Sequence, residues 1–173
     1  MGDRVSQNSG SQGRTAVERR SERELVVTRM FDAPARLVFD AWTKPELFKL
    51  WWAPKSRGVP LLSCEMDVRT GGGYSLSFGH DAANAMTFFG KYLEVTAPSR
   101  LVWTNDEGGE GGAVTTVTFE ERGDETLVVM HDLHPSKEAL DDAIASGSTS
   151  GAGEAFAQLD ELLVTLGTSA GRS

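Results

Sequence analysis

The chain has 173 residues and one cysteine, which suits one domain with short tails and excludes an intrachain disulfide or a cysteine-based metal site. Its formal net charge of −8 repels a phosphate backbone, and no basic stripe with interleaved aromatics offsets it, so nucleic acid is not an expected partner. No apolar run approaches the ~20 residues of a membrane span, and no apolar signal-peptide core stands near Met1, so a cytoplasmic protein without membrane association is expected.

Residues 1–22 are polar and aperiodic and predict a disordered tail; residues 23–167 read as one domain and 168–173 as a loose C-terminus. A β-rich run, Glu24 to Asp32, leads into Ala33-Pro34, and Pro34 suits the first turn of a helix. Leu37, Val38, Ala41 and Trp42 then recur at helical spacing. Thr43-Lys44-Pro45-Glu46 predicts a capping box for a second short helix, with Thr43 as N-cap and Leu47, Leu50 and Trp51 on one face. Pro54 and Pro60 bracket a predicted loop, Lys55 to Val59.

Beyond this loop the period changes to two. Leu61 to Arg69, Tyr74 to Phe78, Met86 to Thr96, Leu101 to Asp106, Val114 to Glu121 and Thr126 to Leu133 read as strands. Gly71 to Gly73, Ala97-Pro98-Ser99, Glu107 to Gly112 and Arg122-Gly123-Asp124 turn the chain between them. Connections this short require antiparallel neighbours. Ser136 can cap a short helix through Ile144, and a Ser/Gly-rich break from Ser146 to Gly153 precedes a longer helix ending at Leu166-Gly167. Phe156, Leu159, Leu163 and Leu166 form its apolar stripe, flanked by Leu162, with Glu154, Gln158, Asp160, Glu161 and Thr165 facing away. The fold class is α+β, a bent seven-stranded antiparallel sheet wrapped around a long C-terminal helix, with two short helices after the first strand.

Several motifs occur in a familiar order. Thr28 to Pro34, Val38 to Glu46, Trp51-Trp52-Ala53-Pro54, Met66 to Arg69 with Gly71 to Tyr74, Gly90 to Val95 with Pro98 to Thr104, and Thr116 to Glu121 together resemble the Hsp90-ATPase-activator-like (AHSA1-like) family over roughly Glu24 to Leu166. The resemblance implies the helix-grip fold of the SRPBCC, START and Bet v 1-like superfamily, with a hydrophobic cavity between sheet and C-terminal helix. Where relatives often carry Trp in the last helix, this chain has Phe156, which alters the cavity's expected shape. The family name brings Hsp90 and stress response as implied associations. The N-terminal domain of the eukaryotic co-chaperone has no counterpart in the polar residues 1–22.

The candidate cavity residues are Trp51, Trp52, Tyr74, Phe78, Phe88, Tyr92, Trp103, Phe119, His131 and Phe156. Pockets are mostly apolar with a few placed polar groups, and this set supplies both; the same residues are equally suited to filling a core. Trp51 and Trp52 diverge by roughly 100° on a helix, so at most one lies squarely in the core and the other is expected at a cavity mouth. His131, Asp132 and His134 have metal-ligand chemistry but lack a third strong ligand, so no metal is expected, and no cofactor motif occurs. Glu65 and Asp67 share the solvent face of a strand whose other face carries Cys64, Met66 and Val68, which makes Cys64 a small buried hydrophobe. Three functional classes follow. The first is a binding protein for a small apolar or amphipathic molecule. The second is a cavity enzyme of cyclase, aromatase or hydrolase type using Tyr74, Tyr92 or His131, and the third an interaction module acting on Hsp90 or another protein. A homodimer is compatible with each.

Overall fold

A proline at the start of each early helix shapes the chain's entry into the fold. In the computed structural model, which describes residues 15–53, 58–106, 112–145 and 152–172, helix α1 spans Ala35–Thr43 and α2 spans Pro45–Trp51. Pro34 is the N-cap of α1 and lies just outside the first turn, with its carbonyl accepting from Leu37 and Val38. It offers no side-chain cap, and the Glu121 carboxylate supplies one instead, accepting from the Ala35 N–H at 3.2 Å. The predicted capping box does not form. Pro45 forces the residue before it out of the helical region, so the break falls at Lys44 (φ −100°, ψ 118°). Thr43 therefore remains in α1, and its hydroxyl donates back to the Phe39 carbonyl at 2.9 Å.

Eight strands follow the order β1-β2-β8-β7-β6-β5-β4-β3, every neighbouring pair antiparallel. They are β1 Ala16–Arg19, β2 Glu24–Phe31, β3 Leu61–Met66, β4 Gly73–Phe78, β5 Met86–Thr96, β6 Arg100–Thr104, β7 Val114–Arg122 and β8 Glu125–Leu133. The α+β architecture is the one expected; the sheet has one strand more. β1 lies within the stretch read as a disordered tail, while residues 1–14 fall outside the described residues. All four β1 residues are exposed, so no burial pattern marks them in the sequence. Main-chain pairing with β2, from Ala16 opposite Thr28 to Arg19 opposite Leu25, places the strand. Arg19 adds an ion pair with Asp141 at 2.8 Å. That links β1 to helix α3 (Lys137–Ala145), whose Ala139 N–H is capped by Ser136 Oγ as predicted.

Helix α4 runs Ala152–Arg172, past the expected stop at Gly167 and through the stretch read as a loose terminus. An interior glycine costs about 1 kcal/mol relative to alanine, which need not end a helix. Phe156, Leu159 and Leu163 are buried as predicted, with Leu162 and Leu166 half-buried. Two residues expected to face away do not. The Gln158 amide donates to the Trp51 and Ala53 carbonyls at 2.9 and 3.0 Å, and Asp160 pairs with Arg29 of β2 at 3.3 Å. The predicted loop at Lys55 to Val59, the turn at Glu107 to Gly112 and the break at Ser146 to Gly153 lie largely outside the described residues.

The concave face of the sheet carries Val27, Phe31, Leu101, Val117, Phe119 and Val128, all buried. Gly71 (φ 92°) and Gly123 (φ 67°) occupy hairpin turns in the left-handed region, as the turn chemistry predicts. Gly90 matters for a different reason. A Cβ there would collide with the Thr104 carbonyl oxygen of β6 and come within 2.9 Å of the Tyr74 ring. Gly90→Ala is expected to lower unfolding stability by about 2–3 kcal/mol, because the obstructing atom is main chain and cannot rotate away. Urea denaturation monitored by tryptophan fluorescence reads this directly, and an unchanged midpoint would contradict it.

Candidate functional site on the concave face

The candidate residues separate into three groups. Trp51, Phe119 and Phe156 join a filled core around Trp42, whose ring centroid lies 4.8, 5.9 and 6.0 Å from theirs. The Trp51 indole N–H donates to the Ala41 carbonyl at 2.9 Å, which closes the turn between α1 and α2. These three are core residues, since each is at most 3% exposed and surrounded by other rings. Trp52 is half-buried and stacks on Phe48 at 4.7 Å, so the expected divergence of the two tryptophans holds. The loop expected beside Trp52 falls outside the described residues at 54–57.

A second group lies toward β3–β6. Tyr74, Tyr92 and Trp103 form a ring triad with centroids 5.8 to 6.4 Å apart. Phe78 and Phe88 meet edge to face at 5.5 Å. Tyr92 and Trp103 are buried, whereas Tyr74, Phe78, Phe88, Cys64 and Met66 remain half-buried. The main helix contacts are α1 on β7 and β8, α2 on β3, and α4 on β2, α1 and α2, so β4, which carries Tyr74 and Phe78, takes part in none of them. An open depression of about 440 Å³ lies at the β3–β4 end, where Met66, Gly73 and Tyr74 meet Glu65, Asp67 and Ser75.

His131 is apart from both. Alternation along β8 turns Val128 and Met130 toward the core, so His131 points to the other face. There its Nε2 lies 2.8 Å from Glu24 Oε2. That contact, with a hydrogen bond from Ser21, holds the Glu24 carboxyl below the ordinary range. His131 is therefore not placed to line a cavity on the concave side. Among the described residues no three metal-ligating side chains converge.

Sequence reasoning did not anticipate a polar network beside the triad. Tyr74 Oη donates to the Thr104 carbonyl at 2.7 Å and lies 3.3 Å from Asn105 Oδ1. Asn105 Nδ2 donates to the Ala113 carbonyl at 3.0 Å and to Thr115 Oγ1 at 3.1 Å. Thr115 donates in turn to Asp132 Oδ1 at 2.6 Å. Burial raises the Asp132 carboxyl above its ordinary range, with the Thr115 hydrogen bond and the two nearby histidines opposing. One signal was available: Thr115 and Asp132 stand at inward positions of strands that read as apolar inside.

Burial pushes the Tyr92 phenol well above its ordinary value, so it stays protonated at neutral pH. Burial likewise pushes the Cys64 thiol up to about 11, and its sulfur lies 3.4 Å from Met66 Sδ. Neither group has the ionisation of a nucleophile or general base near pH 7.

Comparison with known proteins matches the chain to a family and its fold to solved structures. A family model described as activator of Hsp90 ATPase homolog 1-like protein matches residues 32–164. No curated protein matches the chain. A crystal structure from Rhodobacter sphaeroides is 22% identical and superposes with a TM-score of 0.79, over 88% of this chain and 99% of that one. A Nitrosomonas europaea crystal structure is 25% identical with a TM-score of 0.75, over 86% and 98%. The solution structure of an AHSA1-like protein from Aeromonas hydrophila is 18% identical with a TM-score of 0.63, over 82% and 94%.

Proposed function

This chain belongs to the activator of Hsp90 ATPase homolog 1-like family, and from that premise we propose that it binds a small apolar or amphipathic molecule on the concave side of its sheet. The observation that carries this reading is the half-buried strip of Cys64, Met66, Tyr74, Phe78 and Phe88 on three adjacent strands. Inward apolar groups that the protein's own helices leave partly uncovered gain about 25 cal/mol per Å² when a ligand removes them from water. A polar network at one margin supplies the few fixed hydrogen-bonding groups that orient a ligand in a mostly apolar site.

Native mass spectrometry before and after organic extraction tests the reading, together with titration by octanol. The expected result is either an extractable small-molecule mass or saturable octanol binding that perturbs tryptophan fluorescence. A bare chain that also fails to bind octanol would overturn it.

Protein contact is a second reading, motivated by Phe89 and Leu93 of β5, which are 45% and 51% exposed. Exposed apolar side chains on a strand are a common element of interfaces. Hsp90 is the partner suggested by the family description, and a pull-down with Phe89→Ser/Leu93→Ser as control tests it. Loss of chaperone recovery in the double variant is expected; recovery unaffected by the substitutions would remove this surface from consideration.

A further inference from the structure

The polarity of the Tyr74–Asp132 network can be worked out atom by atom. The Ala113 carbonyl can only accept, so the Asn105 nitrogen must face it, and the amide orientation is set. The same nitrogen donates to Thr115 Oγ1, which leaves the Thr115 proton directed at Asp132 Oδ1. At the other end, Tyr74 gives its proton to the Thr104 carbonyl. The Asn105, Thr115 and Tyr74 protons are thus directed within the row, which terminates at the Asp132 carboxyl. Among the described residues the hydrogen bond from Thr115 is the only one on that carboxyl, and it reaches Oδ1 alone. Burial raises its pKa against the Thr115 hydrogen bond and the two histidines, and a cationic donor at the second oxygen is what would complement and hold the ionised form.

Glu65 and Asp67 line the depression at the β3–β4 edge together with Tyr74, several strands from Asp132. Of the cations, Arg69 is held by Asp67 at 2.9 Å, Lys91 stands exposed on the convex face, Lys49 of α2 acts on Cys64, and Arg19, which acts on His134, is paired with Asp141 at 2.8 Å. Burial lowers the pKa of His134, which keeps it neutral near pH 7.

Resting on the concave-face reading above, we propose that the bound molecule carries a cationic hydrogen-bond donor, an ammonium group on an apolar body, and that the Asp132 carboxylate receives it. The Trp103–Thr115–Asp132 cross-strand row places the Trp103 ring two strands from this position, with the Tyr92 and Tyr74 rings beyond it as an apolar surface for the body of the ligand.

Isothermal titration calorimetry with octylamine, octanol and octanoate, at one pH near neutrality and one ionic strength, tests the inference on the unaltered protein. Octylamine is expected to bind about tenfold or more tightly than octanoate, the scale of a hydrogen bond to a charged group. Asp132→Asn keeps an oxygen for Thr115 and exchanges the second acceptor for a donor. It is expected to bring amine and acid to within about threefold of each other. Octanoate equal to or tighter than octylamine, or discrimination unchanged in Asp132→Asn, would overturn the inference. Octanol binding without head-group discrimination would do so while leaving the concave-face reading intact; binding of none of the three would overturn both.

Discussion

Replacing Trp42 with alanine is expected to cost about 3–5 kcal/mol of stability, a large part of the roughly 5–15 kcal/mol that holds a typical domain. Trp42 is 1% exposed and is the ring on which α1, α2, α4 and the sheet converge. Its centroid lies 6.5 Å from Phe48, 6.0 Å from Phe156 and 6.1 Å from Trp103, in addition to the Trp51 and Phe119 contacts. Alanine would leave a cavity that three helices cannot close together, because each is already seated on another neighbour. Phenylalanine should cost less, about 1–2 kcal/mol, since it retains a ring. It also removes an indole N–H that is buried without a hydrogen-bond partner among the described residues. Urea denaturation of the two variants, followed by far-UV circular dichroism, gives both values. Equal losses for alanine and phenylalanine would show that the ring contacts are not what holds the helices.

The second large effect is expected at the ion pair between Arg29 and Asp160. The Arg29 side chain is wholly buried, its guanidinium 5.1 Å from the centroid of the Phe31 ring, while Asp160 is 22% exposed. Asp160→Ala leaves the buried cation without this carboxylate and is expected to cost about 3 kcal/mol, at the lower end of the range for breaking such pairs. Arg29→Met should cost less. It removes the charge that needs compensation, fills most of the same volume, and leaves a carboxylate that water can reach. The ordering is the test, read from denaturation midpoints of the two variants side by side. If Arg29→Met is the more damaging, the guanidinium holds the fold through its other contacts and not through Asp160.

Neither the hub nor the ion pair was legible in the residues. Trp42 appeared only as one of four apolar positions at helical spacing, equal in rank to Leu37, which is half-buried. Arg29 breaks an otherwise apolar inward row on β2, and its partner is more than a hundred residues away in a helix position read as solvent-facing. The cavity candidates show the same limit. The period of two marked the strands that carry Tyr74, Phe78, Phe88, Tyr92, Trp103 and Phe119, but it carries no information on which of them meets a helix. His131 was singled out for its chemistry, against the alternation that sends it to the other face.

The elements themselves were nearly all present in the sequence. Strands from Glu24 onward, their antiparallel order, the hairpin turns at Gly71 and Gly123, and the stripe of Phe156, Leu159 and Leu163 are consequences of local periodicity and turn chemistry. These signals act over a few residues, so a sequence holds them completely. The tertiary structure alone decided the eighth strand, whose four exposed residues are placed by main-chain hydrogen bonds that any side chain permits. It alone decided that Trp51, Phe119 and Phe156 fill the core while Tyr74, Phe78 and Phe88 stay half-buried, because that depends on where three helices land across the sheet. It also decided the row from Tyr74 to Asp132. Hydrogen bonds across β4, β6, β7 and β8 need atoms within about 3 Å of one another, a distance that periodicity within a strand does not encode.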